Sequence, residues 1–213
     1  IGFESSRDLT GENADGNYEV FLYVAAAGTI MQVTVTTEAA NGLTSVSGDG
    51  TRIAFPSTGN LTNQNADGNQ EIFLYDAAAS TIIQVTVTTG GLNSGPSISG
   101  DGRRIAFVSN RFAGGNPDGN FEIFLYDITT SGISQITDTT GGSNVFPSTS
   151  GNGTRIAFVS SRDLTNQNTD GNNEIFLYDA GAATITQVTD TTEGFNVEPA
   201  ISGDGRRIAF ASN

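Results

Sequence analysis

A seven-residue pattern that could bind a metal ion recurs four times along the chain. It reads Asn-x-Asp-Gly-Asn-x-Glu, so an oxygen-bearing side chain stands at every second position. Calcium takes about six to eight hard oxygen ligands, which makes it the candidate ion. The glycine, however, follows the second of these residues, whereas an EF-hand loop needs it after the third. The residues are Asn13, Asp15, Asn17 and Glu19; Asn65, Asp67, Asn69 and Glu71; Asn116, Asp118, Asn120 and Glu122; Asn168, Asp170, Asn172 and Glu174.

The same pattern is also typical of a polar turn. Asp-Gly favours a bend, and Asn side chains bond to nearby backbone groups. The Glu would then begin a strand close to an arginine such as Arg52, Arg104 or Arg155. If calcium binds, we expect it to fix the loop and not to catalyse a reaction. The sequence leaves both interpretations open.

A second candidate site is an asparagine that recurs ahead of a short strand. If the repeats form a ring, this position lies near one mouth of the central channel, where identical amides could hold water, a cation or a sugar hydroxyl. The alternative is that each amide caps its own turn. The residues are Asn41, Asn93, Asn144 and Asn196.

Ligand specificity must come from residues that differ between the repeats. Tyr18 and Phe121 replace Gln70 and Asn173 in the loop pattern, and larger apolar residues stand around the entry to the short strand: Leu92, Val145, Phe146 and Phe195. Exposed aromatic side chains can anchor a partner or a sugar ring. Drift between duplicated repeats would explain these differences equally well.

Few residues of this chain could carry catalysis. His, Cys and Lys are absent, which excludes Ser-His-Asp and Cys-His catalysis and Schiff-base chemistry. A glycosidase-type carboxylate pair needs one acid with a raised pKa, and therefore a distinct environment. The carboxylates here repeat in equivalent environments. We therefore expect no enzymatic activity and no catalytic residues.

A long sequence repeat predicts the strands that position these residues. The motif Ile-x-Phe begins at Ile1, Ile53, Ile105, Ile156 and Ile208, with steps of 52, 52, 51 and 52 residues. Each repeat predicts four strands, a to d: a short strand of small residues, the RIAF segment, the EIFLYD segment, and a polar-apolar segment such as 83–86. Gly-Asp-Gly or Gly-Asn-Gly between a and b predicts a type I′ hairpin.

The predicted strands b and c are apolar on both faces, which suits a sheet that is covered on both sides. We therefore predict an all-β β-propeller of four-stranded antiparallel blades, with one domain over 1–213 and repeats at roughly 1–52, 53–104, 105–155 and 156–207. A helical solenoid would need apolar spacing of three and four, which is absent. The strand order bcd, abcd, abcd, abcd, ab leaves open edges. Ring closure, head-to-tail assembly or continuation in further residues could cover them, and we favour the last two.

These motifs resemble a known repeat. S-x-x-G-x-R-I-A-F-x-S, then D-G-N-x-E-I-F-L-Y-D, then I-x-Q-V-T is similar to the TolB-type, WD-repeat-like propeller repeat over essentially the whole chain. The resemblance implies blades around a central channel and a binding or scaffolding role in the periplasm or outside the cell, sometimes beside a hydrolase domain. Two departures are a longer loop between b and c, and four repeats where the family has about six or seven blades.

The net charge of the chain limits the kinds of molecule that it can bind. The net charge of −14 repels phosphate backbones and anionic lipids, so neither nucleic acid nor membrane insertion is expected. No apolar run is long enough for a membrane-spanning helix. The acidic composition, rich in Gly, Asn and Thr, favours a secreted, periplasmic or cell-surface location, and we expect a processed product or a fragment because the chain opens inside a strand motif.

The sequence thus predicts a non-enzymatic binding or assembly module, with calcium as a candidate stabiliser. Its expected partners are a protein, a carbohydrate, or a second copy that pairs through the open blade edges. The alternatives are the non-catalytic propeller of a larger hydrolase and a sugar-binding, lectin-like propeller.

Overall fold

The computed structural model describes residues 1–111 and 116–213. In this part of the chain the regular elements are seventeen β-strands, arranged in five sheets that we number blades 1 to 5 in chain order. Across the same residues, no helix is long and apolar enough to cross a membrane.

The blades contain different numbers of strands. Blade 1 contains β1 (Gly2–Ser5), β2 (Glu19–Val24) and β3 (Thr29–Gln32). Blade 2 contains β4 (Ser45–Val46), β5 (Arg52–Ser57), β6 (Glu71–Asp76) and β7 (Thr81–Gln84). Blade 3 contains β8 (Asn93–Ile98), β9 (Arg104–Ser109), β10 (Glu122–Asp127) and β11 (Gly132–Gln135). Blade 4 contains β12 (Asn144–Thr149), β13 (Arg155–Ser160), β14 (Glu174–Asp179) and β15 (Thr184–Gln187), and blade 5 contains β16 (Asn196–Ile201) and β17 (Ile208–Ser212).

Within each blade the strands pair antiparallel with their sequence neighbours, in the order a, b, c, d. Blade 1 has strands b, c and d, and blade 5 has a and b, as the sequence predicted. The predicted all-β fold of repeated four-stranded antiparallel blades is therefore confirmed.

The turn between strands a and b differs from the prediction. In blade 2, Ser47 Oγ donates to Asp49 Oδ1 at 2.6 Å, and Gly50 N donates to Ser47 O at 2.9 Å. Gly50 has a φ of 73°, but neither Gly48 nor Asp49 is among the described residues with positive φ. A type I′ turn requires positive φ at both central residues, so the predicted turn type is wrong. The hydrogen bond from Ser47 also lowers the pKa of Asp49 to about 2.

Apolar side chains cover both faces of a blade. In blade 2, Phe55 and Phe73 stack with ring centroids 5.9 Å apart and pack toward blade 1. On the opposite face, Ala54 and Leu74 pack against Phe107 of blade 3. Burial of each such phenylalanine contributes about 1.5–3 kcal/mol. The blades are thus held together by the faces that the sequence predicted to be covered.

The inner strands of successive blades lie close together. Ile98 N donates to Ser45 Oγ at 3.0 Å, and equivalent bonds join blades 3 and 4 and blades 4 and 5. The turns that follow also meet, because Gly151 N donates to Gly203 O at 2.8 Å. A Cβ atom on Gly151 would lie 2.7 Å from that oxygen. This close approach explains why glycine stands at the start of the turn in blades 2 to 4.

An arginine at the start of strand b links neighbouring blades. Arg52 Nε pairs with Asp76 Oδ2 at 3.0 Å, and its Nη1 donates to Gly102 O of the next blade at 2.9 Å. The same pair recurs at Arg104 with Asp127 and at Arg155 with Asp179. The expected closeness of this arginine to the motif Glu is therefore wrong, because antiparallel pairing places Arg52 opposite Asp76 and Glu71 opposite Ser57.

Candidate functional site

The Asn-x-Asp-Gly-Asn-x-Glu pattern lies between strands b and c and ends at the first residue of strand c. Its first Asn and its Glu are buried in all four copies, its second Asn is half-buried, and its Asp is exposed. The pattern therefore combines an exposed bend with two anchored ends.

The buried Glu is fully engaged in hydrogen bonds. In blade 2, Glu71 Oε1 accepts from Thr88 N at 2.6 Å, Thr88 Oγ1 at 2.7 Å and Asn69 Nδ2 at 2.9 Å, and Oε2 accepts from Asn93 Nδ2 at 3.0 Å. The contacts with threonine and with the asparagine that precedes strand a recur at the other three copies: Glu19, Glu122 and Glu174. This network satisfies a carboxylate that water does not reach.

The acidity of this group reflects two opposing effects. Burial pushes the pKa of Glu174 upward, but hydrogen bonds from Thr189 and Thr191 outweigh it, so its pKa lies below the ordinary value. The carboxylate therefore stays charged and acts as an acceptor, and it is a poor proton donor for catalysis.

The second candidate group belongs to the same network. The asparagines predicted for the channel mouth, Asn41, Asn93, Asn144 and Asn196, are at most 5% exposed. Each donates its Nδ2 to the Glu of the preceding blade, and Asn41 also accepts a hydrogen bond of 2.6 Å from Ser57 Oγ. The network thus joins strand c of one blade to the start of strand a of the next. These contacts favour a structural role for the asparagines.

The fit of the loop to calcium is mixed. The Glu is already satisfied, and the exposed Asp67 and Asp118 each accept a backbone bond of 2.8 Å from Gly90 or Gly141. Residues 1–111 and 116–213 hold no group of three or more His, Cys, Asp or Glu side chains that could bind a metal ion. Several motif amide oxygens, however, are buried without a partner: Asn13, Asn17, Asn65, Asn69, Asn120, Asn168 and Asn172. Such acceptors call for water or a cation, so calcium stays a prediction.

A cavity of about 540 Å³ lies where the inner strands begin. Most of its lining is apolar and comes from blades 2 to 5, including Leu43, Pro96, Phe121, Phe146 and Pro199. Leu43 and Phe146 are 65% and 54% exposed. Of the described residues that line the cavity, Glu198 is the one that carries a charge.

The sequence pointed to only part of this lining. Phe121, Val145 and Phe146 were singled out as departures from the repeat, and all three line the cavity. Tyr18 and Phe195 are exposed but lie elsewhere. Leu43 and Glu198 were missed. The available signal was the residue two positions after each repeated asparagine, which changes chemical type from blade to blade.

We compared the sequence and the fold with those of known proteins. No model of a known protein family matches the chain. A protein TolB homolog from Chlorobium chlorochromatii (strain CaD3) is 38% identical over 149 residues, which is 70% of this chain and 30% of that protein. TolB from Acinetobacter baumannii has the same fold, with a TM-score of 0.66 at 22% identity over 98% of this chain and 46% of that one. The chain belongs to the TolB-like β-propellers.

The TolB-like chain spans less than half the length of these two relatives. The fold also occurs in an enzyme. Oligogalacturonate lyase from Vibrio parahaemolyticus matches with a TM-score of 0.59 at 14% identity, over 91% of the TolB-like chain and 52% of its own. Architecture alone therefore does not separate a binding role from an enzymatic one.

Proposed function

We propose that this TolB-like chain is a non-enzymatic binding module that holds a protein partner in the apolar cavity beside its inner strands, outside the cytoplasm. The observation that carries the proposal is the apolar cavity of about 540 Å³, to which four blades contribute. Large exposed apolar side chains such as Leu43 and Phe146 are typical of interaction sites.

The cavity has the chemistry of a binding site and lacks that of a catalytic one. Glu198 is the single ionisable residue among its described lining residues, whereas carboxylate-pair hydrolysis needs two. The buried carboxylates, Glu19, Glu71, Glu122 and Glu174, serve the networks between blades. The runner-up, a propeller that accompanies the catalytic domain of a larger hydrolase, would use the same cavity to hold a chain segment.

The proposed location outside the cytoplasm rests on composition. A net charge of −14 with Arg as the sole basic side chain suits a protein that stays soluble through surface carboxylates. The same charge favours partners with a basic face.

The cavity can be tested with an apolar dye such as Nile red, whose fluorescence rises when it leaves water. We expect saturable binding to the wild-type chain and at least a fivefold loss of affinity in Phe146→Ser. Tyr18→Ser is the matched control, because Tyr18 is 56% exposed but does not line the cavity. Equal dye binding by all three proteins would overturn the proposal. Peptides selected on the wild-type chain should compete with the dye.

A second candidate is self-association through blade 5. Among the described strands, β17 pairs only with β16, and its Phe210 is 40% exposed. The equivalent residues of the other blades are fully buried, and each lies opposite a phenylalanine of the neighbouring strand c: Phe55, Phe107 and Phe158. We propose that a strand of type c from a second copy covers this edge. A mass measurement of the native particle tests this idea: Phe210→Ser should lower the oligomeric state, and a monomeric wild type at high concentration would contradict it.

A further inference from the structure

One residue in the left-handed conformation lies in or just before the inner strand of each of blades 2 to 5, where the chain borders the cavity. The four residues are equivalent in the repeat: Leu43 with φ of 47°, Gly95 with 55°, Phe146 with 55° and Glu198 with 53°. In blades 3, 4 and 5 they lie in a bulge of strand a. In blade 2 the pairing shifts by one residue between Asn41 and Ser45. The chain thus builds the same bulge four times.

This conformation is unfavourable for three of the four residues. Glycine adopts a positive φ readily. For any other residue, this conformation lowers the equilibrium constant of folding roughly five- to thirtyfold. Gly95 shows that glycine fits the bulge. The stability of the bulge therefore does not call for Leu, Phe or Glu at the equivalent positions, and strained residues of this kind that border a cavity point to a functional role.

The contacts that hold the bulge recur while the bulge residue varies. Two positions earlier stands the buried Asn that bonds to the Glu of the preceding blade, and in blades 3 to 5 a proline follows directly. The network therefore fixes the backbone, while the left-handed residue changes its chemistry from blade to blade. It reads Leu, Gly, Phe and Glu from blade 2 to blade 5.

We propose that these four bulge residues determine the specificity of the site, and that they select a segment with an aromatic or large apolar side chain beside a basic one. This inference rests on the proposed function. Leu43 and Phe146 flank Gly95, where an added Cβ would meet only Val108, at 3.9 Å. That gap receives the apolar side chain. Glu198 lies next to Phe146 in blade order and receives the basic group, which the acidic surface also attracts.

Two short blocked peptides test the selection: Gly-Trp-Lys-Gly and Gly-Trp-Glu-Gly, each titrated by calorimetry and in competition with Nile red. We expect the Trp-Lys peptide to bind the wild-type chain at least tenfold more tightly. Glu198→Gly should reduce that ratio to about one. Phe146→Gly and Leu43→Gly should weaken both peptides alike.

The stability of the glycine variants distinguishes a binding role of the bulge residues from a purely structural one. Because glycine relieves the left-handed strain, Phe146→Gly and Leu43→Gly should unfold at an equal or higher urea concentration than the wild type while they lose binding. Ser131→Gly is the control: its φ is 54°, and it lies in the turn between β10 and β11, outside the cavity. It should gain stability and keep full peptide binding.

The outcomes separate this inference from the proposed function. If Nile red binds in a Phe146-dependent way but the wild type does not prefer Trp-Lys, the binding module stands and the selection rule is wrong. A Trp-Lys preference that survives Glu198→Gly also overturns the rule. If the dye does not bind at all, the proposed function itself fails. A clear loss of stability in Phe146→Gly would refute the strain argument.

Discussion

Replacement of Glu71 by Gln tests the network that joins the blades. Gln keeps the size of the side chain and one acceptor oxygen, so Thr88 and Asn69 still find a partner. The amide NH2, however, takes the place of the Oε2 that accepts from Asn93 Nδ2 at 3.0 Å. Two donors then face each other in a site that is fully buried.

The size of the effect follows from the number of bonds. A hydrogen bond to a charged group contributes about 1.5–3 kcal/mol and a neutral one about 0.5–1.5 kcal/mol. The three bonds to Oε1 each lose about 1 kcal/mol, and the lost bond to Asn93 costs about 1–3 kcal/mol more. Removal of a buried charge offsets part of this loss. We expect a net destabilisation of about 2–4 kcal/mol, a large share of a typical domain stability.

Urea unfolding followed by circular dichroism measures this difference. Glu12→Gln is the control, because Glu12 is exposed in the equivalent loop of blade 1, and a change within about 0.5 kcal/mol is expected there. A Glu71→Gln variant within about 0.5 kcal/mol of the wild type would refute the reasoning. The double variant with Asn93→Ala should fall short of the sum of the two single effects, because the residues share one bond.

Three further predictions concern the turns and loops. Gly151→Ala should destabilise the chain by about 1–3 kcal/mol in urea, since its Cβ would lie 2.7 Å from Gly203 O, whereas Gly203→Ala meets nothing within 4 Å and should be tolerated. Asp49, with a pKa of about 2, contributes stability above pH about 4 that is lost as the pH falls toward 2. Asp49→Asn should remove this pH dependence by lowering the stability at pH 7, while the turn itself still forms, because Asn152 already accepts the same bonds in blade 4. If calcium binds the loops, it should raise the melting temperature of the wild type more than that of Asp67→Asn, and no rise in the wild type would contradict the calcium prediction.

The sequence predicted the elements well because their signals are local and repeated. The short apolar runs in RIAF and EIFLYD, bounded by turn residues, and the steps of about 52 residues specify strands and their order. The turn type failed because it depends on a side chain outside the Gly-Asp-Gly motif, the Ser47 hydroxyl. The partner of Arg52 was assigned wrongly because sequence distance was considered and strand register was not.

The candidate site was less predictable because its contacts cross from one blade to the next. Asn93 and Glu71 stand 22 residues apart, and both were marked separately, but nothing local shows that they meet. The cavity depends on a one-residue bulge and a left-handed backbone at Phe146, which leave no periodic signal. The residue just before the proline differs between blades 3, 4 and 5, and this difference is the signal that sequence reasoning could have used.

The network between Glu and Asn also bears on how such a chain grows. Each of blades 2 to 4 carries one Glu for the junction that follows it and one Asn for the junction that precedes it. Removal or insertion of a whole unit therefore leaves every remaining junction with both halves. Gene duplication can lengthen or shorten this scaffold without new compensating substitutions, and selection is then free to act on the left-handed position of each copy.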